Sequence, residues 1–377
     1  MMRKIILLII LLLVILVPAF SSSTPFSYIF YDSGYHGSFC NGLFPSYILN
    51  GFHYHDLKFL EDHTTTFSFR YYTGLSSRAL WYDPSTKEID LDSELSYDIL
   101  RNLVDLKLYQ NFGPVDKPQL FSITLGSSFL WEASLDSQNA EKGIDELFAR
   151  LDPTLYPDLT YSTGHDIRHH LNLNYSIQLT LNNIKYNGFQ RDGDSAYIYF
   201  ETAPKLLNQF MLAPSDYYKV HFNFKDYRTL YSQGDDLNVI LNNDFDLRHL
   251  GGNNIPTHAQ GSVALGNQIH GYSSLTYNTN YSVAYTPDIT VYGPKLFNTA
   301  RPRIVFYYSV GHNWGEIINT NTPQSEMLMS TGFKASINFF DFVDFNFKYY
   351  YLIHGTNYGM GIGKKHNYSF YMYFNMF

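Results

Sequence analysis

The segment Leu171-Asn172-Leu173-Asn174-Tyr175-Ser176-Ile177-Gln178-Leu179-Thr180-Leu181-Asn182 decides how this chain folds. Its odd positions are apolar or aromatic and its even positions polar, without exception. In an extended chain successive side chains point to opposite faces, so the alternation predicts a strand with one greasy and one hydrophilic face. A helix would scatter the same residues around its surface. The length suits the ~9–11 residues that a tilted strand needs to cross a bilayer.

Working outward, the same two-residue rhythm recurs. Val220, Phe222 and Phe224 alternate with His221, Asn223 and Lys225. Tyr277, Thr279, Tyr281, Val283 and Tyr285 alternate with Asn278, Asn280, Ser282 and Ala284. Phe345, Phe347, Tyr349 and Tyr351 alternate with Asp344, Asn346, Lys348 and Tyr350. Val104, Leu106 and Leu108, then Phe121, Ile123 and Leu125, follow suit nearer the start. Ser232-Gln233-Gly234-Asp235 and Arg191-Asp192-Gly193-Asp194 read as turns. One stretch departs from the rhythm: within 137–151, Ile144, Leu147, Phe148 and Leu151 share a helical face, and Pro153 ends it. It predicts a short helix in an extracellular loop or a lumenal plug.

Composition says where such strands sit. Tyrosine (34) and phenylalanine (30) together outnumber all charged residues, yet mean hydropathy is −0.21. A barrel in lipid produces this combination, with apolar side chains outward, polar ones inward and aromatic girdles at both interfaces. A net charge of −8 does not support a nucleic-acid surface. The single cysteine, Cys40, excludes a disulfide framework. Beyond Val17 no apolar run approaches the ~18 residues of a transmembrane helix.

The first residues have the three zones of a secretory signal: Arg3-Lys4, an apolar run from Ile5 to Val17, and Pro18-Ala19-Phe20-Ser21. The expected organisation is a cleavable signal peptide over 1–21 and an all-β, transmembrane antiparallel β-barrel over 24–377. Residues 250–276 form a long loop able to enter the lumen. The remaining length suits about 16 strands, an even number as in bacterial single-chain barrels. The last strand, from Asn367, carries Tyr371 and Tyr373 and ends on Phe377, the kind of terminus that the outer-membrane insertion machinery reads.

From about Gly251 the chain resembles the bacterial surface-antigen barrels, a family of outer-membrane assembly and translocation channels. Ala264-Leu265-Gly266-Asn267-Gln268-Ile269-His270-Gly271-Tyr272 stands where that family has a Gly-rich approach to Val/Ile-Arg-Gly-Phe/Tyr. Tyr307-Tyr308-Ser309-Val310-Gly311-His312-Asn313-Trp314 stands where the family has an aromatic-x-Asp-x-Gly strand followed by tryptophan. The resemblance implies a loop motif of Ile269, His270, Gly271 and Tyr272, docked on a strand bearing Ser309, Gly311 and Trp314. The family arginine is His270 here and the family aspartate is Ser309, so both partners of the family's ion pair are lost together, which leaves a hydrogen bond between these two open. The strands start near Phe26, leaving no room for the periplasmic polypeptide-transport-associated domains that precede most such barrels.

Other chemistry is weaker. His165 and His169 have the His-x-x-x-His spacing of zinc proteases, but Asp166 replaces the glutamate and the segment runs into a strand, where residues four apart are ~13 Å apart. Asp235-Asp236 and the Asp244/Asp246 pair lack the dense spacing of a calcium loop and read as solvated turn. His53 and His55 share a strand face and read as lumenal. No Gly-x-Ser-x-Gly elbow occurs. The reading is a non-enzymatic outer-membrane pore without cofactor or metal, moving or inserting polypeptide or lipid. Its partners are outer-membrane lipid and the insertion machinery. A passive porin-like channel and a non-conducting surface adhesin are the alternatives.

Overall fold

The computed structural model describes residues 49–58, 65–80, 82–83, 88–89, 95–113, 120–136, 169–209, 215–253, 255, 259, 263–272, 279–297, 299–317, 323–340, 343–355 and 365–374. The expected signal peptide, Cys40, the helix over 137–151, His165 and Phe377 lie outside these residues.

Strands dominate because the alternation leaves the backbone no better partner than a neighbouring strand. In chain order they are β1 (Leu49–Lys58), β2 (Thr65–Leu80), β3 (Tyr82–Asp83), β4 (Glu88–Ile89), β5 (Leu95–Asn111), β6 (Phe121–Asp136), β7 (His169–Asn182), β8 (Lys185–Asn187) and β9 (Gln190–Ala203). Then follow β10 (Asp216–Gln233), β11 (Leu237–Asn253), β12 (Thr279–Tyr285), β13 (Asp288–Tyr292), β14 (Ala300–Ile317), β15 (Pro323–Phe339), β16 (Val343–His354) and β17 (His366–Phe374). A one-turn helix, α1 (Lys205–Asn208), and a 3-10 turn (Leu265–Asn267) complete the set among the described residues.

β3 and β4 form a separate ribbon; the rest belong to one antiparallel sheet in which sequence neighbours are sheet neighbours from β1 to β17. β8 continues the line of β7 along β9, and β12 and β13 share one line between β11 and β14. The path therefore has thirteen strand positions among the described residues. The expected count of about 16 concerns a whole closed barrel. Among the described residues no helix is long and apolar enough to cross a membrane.

The register turns each local alternation into a continuous two-faced wall. Ile177 pairs with Leu125 and Phe200, which leads through Val220 to His249, while Ser176 pairs with Gly126 and Glu201. One face stays open: Ile177 and Tyr175 are each 40% exposed, as are Ile198, Phe200, Phe224, Leu247, Phe306 and Phe347 to similar degrees. The opposite face, called inward below, is closed. Asn172 is 0% exposed and Asn174, Asn223, Ser282, Ser309, Asn313 and Asn346 are all buried. A soluble protein hides its aromatics and wets its asparagines; this sheet does the reverse, as a wall bordered by hydrocarbon must.

Two local readings need correction. The turn after β8 is Gly188-Phe189, and Arg191-Asp192-Gly193-Asp194 lies within β9. Gly193 has φ +118° there, with Asn183 O 2.3 Å from where a Cβ would sit, so the glycine serves a strand irregularity. Thr279 does not share the open face of Tyr281: a register shift between them buries Thr279 completely. A bulge changes phase without leaving a mark in the apolar pattern.

The connections differ between the two ends. Gly188-Phe189, Gly234–Asp236 and the β15–β16 link are short and share one end with the seven-residue β13–β14 link; at the other end the β6–β7, β9–β10 and β11–β12 connections are longer, and the five-residue β14–β15 link is the exception among them. Short periplasmic turns with long extracellular loops are the pattern of outer-membrane barrels.

Candidate functional site: a loop seated on the inward face

The β11–β12 connection lies against the inward face of the sheet. Its first half places Ile255, Ala259 and Val263, all buried, in a cluster with Ala203 of β9, Tyr217 of β10 and Leu250 of β11. Its second half places Leu265 and Ile269 with Ala284 of β12 and Leu328 of β15, flanked by Tyr272. Such a loop must satisfy its own backbone groups. Gln268 Nε2 donates to Val263 O at 3.2 Å and to Ser282 Oγ at 2.7 Å. Ser330 Oγ donates to His270 O at 2.6 Å, and Asn367 Nδ2 of β17 donates to Gly271 O at 3.0 Å. Tyr272 Oη donates to Met329 O at 3.0 Å and also to His354 O.

Two glycines permit this approach. On β14, a Cβ at Gly311 would lie 2.6 Å from Leu265 Cδ1 and 2.8 Å from Ile269 Cδ1, so the strand is notched where the loop enters. In the loop, Gly271 has φ +88°, and a Cβ there would lie 2.8 Å from Tyr350 Cβ. Gly271→Ala therefore meets backbone strain and overlap together and is expected to weaken docking by about 1–3 kcal/mol. Hydrogen exchange at Ile269 and Tyr272 measures it; unchanged protection would contradict the seat described.

The loop-motif residues Ile269, His270, Gly271 and Tyr272 thus come together with Gly311. The hydrogen bond left open between His270 and Ser309 is not formed. The His270 ring packs in a triangle with Tyr307 (centroids 4.5 Å) and Tyr350 (5.8 Å, stacked), which are themselves 6.0 Å apart, whereas Ser309 Oγ is buried with no hydrogen-bond partner among the described residues. Aromatic rings take the place of an ion pair, consistent with a neutral residue replacing an arginine. Trp314 is also corrected. It occupies the other phase of β14 and stacks on Tyr281 (5.5 Å) and His312 (5.6 Å). With the His249–Tyr281 stack at 4.2 Å, these rings form a belt on the open face, where a membrane interface would lie. Of the C-terminal residues, Tyr371 faces inward, with Lys348 Nζ 4.8 Å from its ring centroid; Tyr373 lies in β17 and Phe377 outside the described residues.

Burial at this seat, with the Lys348 charge beside it, pushes His270 down to about 4 from the ordinary value of 6.5. The docked ring is therefore neutral, while an undocked one takes a proton near 6.5. Docking strength is full above that pH and falls as pH drops toward 4, by at most about 3 kcal/mol. Loop accessibility to a water-soluble label is expected to rise between pH 7 and about pH 4.5 and to become pH-independent in His270→Phe. A flat wild-type profile would contradict it.

A second inward cluster escaped the sequence reading. Asp244 and Asp246 are no solvated turn: they sit on β11 facing inward. Asp246 accepts from His221 Nε2 (2.7 Å) and Arg248 Nε (2.5 Å), and Asp244 pairs with Lys225 (3.1 Å). On the neighbouring strands Glu201 holds Lys219 (3.2 Å) and accepts from Tyr217 Oη (3.0 Å) and from Tyr199 Oη. The signal was present in the polar half of each alternation, but sequence alone does not say which strands adjoin.

No protein-family profile matches the chain, and no curated protein matches it. Among solved structures, BamA from Haemophilus ducreyi lacking POTRA domains 1–3 is similar, with TM-score 0.54 and 13% identity over 87% of this chain and 62% of that one. The chain thus spans about three-fifths of the BamA chain it matches. The pyoverdine outer-membrane receptor FpvA of Pseudomonas aeruginosa PAO1 is more distant, at TM-score 0.38 and 9% identity over 88% of this chain and 58% of that one. The BamA likeness concerns the fold, which is that of an outer-membrane β-barrel.

Proposed function

We propose that the chain forms a closed outer-membrane pore of the surface-antigen type, through which polypeptide or lipid is inserted or translocated. The observation carrying this reading is the seat of residues 263–272 on the inward wall. A loop that only decorated a barrel mouth would not need a notch at Gly311 and five separate strands of partners. Closing the wall into a barrel would put this loop in the lumen, where it narrows the passage and moves when cargo enters. The same position of Ile269–Tyr272 in the sequence pattern of the family supports the reading. Tyr371, Tyr373 and Phe377 would then serve recognition by the insertion machinery.

Planar-bilayer recording separates the possibilities. A plugged pore is expected to give a small, fluctuating current. A large, steady current would instead assign a passive porin-like channel, and absence of current a structural or adhesive barrel.

A further inference from the structure

At the short-turn end the sheet carries arginines that the docked loop does not use. The Gly188-Phe189 turn does not stay over its own strands. The Phe189 ring lies 4.9 Å from the Tyr292 ring of β13 and 4.0 Å from the Arg301 guanidinium carbon on β14. In sheet order β10 and β11 intervene, so the turn folds across this end on the inward side. It covers a cavity of about 300 Å³ whose wall includes Arg191, Arg301, Arg303, Phe189, Tyr292 and Asp344.

Each guanidinium is set against aromatic rings: Arg301 on Phe189, Arg303 near Tyr292 (5.9 Å), and Arg191 near Tyr186 (5.6 Å) and Tyr227 (5.9 Å). A ring face fixes the guanidinium plane and leaves its N–H edge for an oxyanion. Arg303 uses Nε on Ser336 Oγ at 3.1 Å. Arg301 Nη1 is out of solvent and donates to no acceptor among the described residues. Buried donors of that kind are rare, and a charged one is costly to leave unmatched. Asp344 is the single acid among the lining residues and accepts from Asn338 Nδ2 at 3.0 Å. Three guanidinium groups against one carboxylate leave two positive charges, in a chain whose net charge is −8. A carboxylate ligand would balance half of them, a phosphate nearly all.

We propose that this cavity binds a phosphate group, its oxygens held by Arg301, Arg303 and Arg191 and the rest of the ligand lying against Phe189 and Tyr292. The chemistry is shared by a phospholipid headgroup and a soluble phosphate ester. The inference needs the fold alone and stands whether or not the pore conducts.

The test uses the full chain refolded in phospholipid-free detergent, titrated with inorganic phosphate and glycerol 3-phosphate, and in parallel the chain in nanodiscs with or without phosphatidic acid. Saturable binding or thermal stabilisation is expected in at least one arm. It should weaken about tenfold or more in Arg301→Gln and in Arg303→Gln, and hold in the exposed control Lys185→Gln. A response to the soluble probes assigns a free phosphate ester; a response to phosphatidic acid alone assigns a lipid headgroup. Should Arg301→Gln not fold, Phe189→Ala, which removes the ring beneath the guanidinium, takes its place. No saturable response in either arm, or equal responses in wild type and the arginine variants, would overturn the proposal.

Discussion

Replacing Ile177 with arginine is expected to destabilise the barrel in lipid by about 2–4 kcal/mol, the cost of a cation on the lipid face near the bilayer midplane. Ile177 sits mid-strand in β7, 40% exposed, between Leu125 and Phe200, which share its face. Arginine at the adjacent Ser176, on the inward face, is expected to cost far less at this depth, since that position is only partly buried and its cross-strand neighbour is the acidic Glu201. The contrast carries the information: a strand in a soluble sandwich would accept arginine at its exposed position and reject it at its buried one. Denaturant unfolding in lipid vesicles reads both variants. Equal stabilities, or the reverse order, would reject the assignment of faces.

Gly311→Val is expected to have an effect at least as large, felt first by the docked loop. The new side chain would occupy the space of Leu265 and Ile269, which are 0% and 2% exposed in their seat. Driving both out forfeits roughly 1.5–3 kcal/mol of burial for each. The loop should leave the wall and the current should rise several-fold, with a smaller loss of barrel stability, because a Cβ at 311 also lies 2.9 Å from Val283 O of β12. Gly311→Ala gives a milder version, and combining it with Leu265→Ala should recover part of the docking because the two changes act on one contact. Wild-type current and loop protection in Gly311→Val would contradict the seat.

The wall itself was legible in the sequence because period two is a direct imprint of a strand between two solvents. The segments at Leu171, Val220 and Phe345 identify both faces correctly, down to Tyr350, an aromatic residue in the inward phase that is buried there. Features set by a break in phase were not legible. The bulge after Thr279 and the irregularity at Gly193 shift side chains between faces without altering local composition. The loop motif was visible only through a family resemblance. Even so, the resemblance pointed His270 at Ser309, whereas the structure surrounds His270 with Tyr307 and Tyr350. Trp314 sits three residues beyond Gly311, an odd spacing that in a strand means the opposite face. The arginine cavity unites residues more than a hundred positions apart and left no local mark.

The central claim is that one face of this sheet borders hydrocarbon and the other does not. Single tryptophans introduced at successive positions from Leu173 to Thr180, in a chain whose own Trp81, Trp131 and Trp314 are replaced by phenylalanine and which is folded into vesicles of brominated lipid, test it most directly. Quenching is expected to be strong at Leu173, Tyr175, Ile177 and Leu179 and weak at Asn174, Ser176, Gln178 and Thr180. Uniform quenching along the segment, or none at all, would contradict the account.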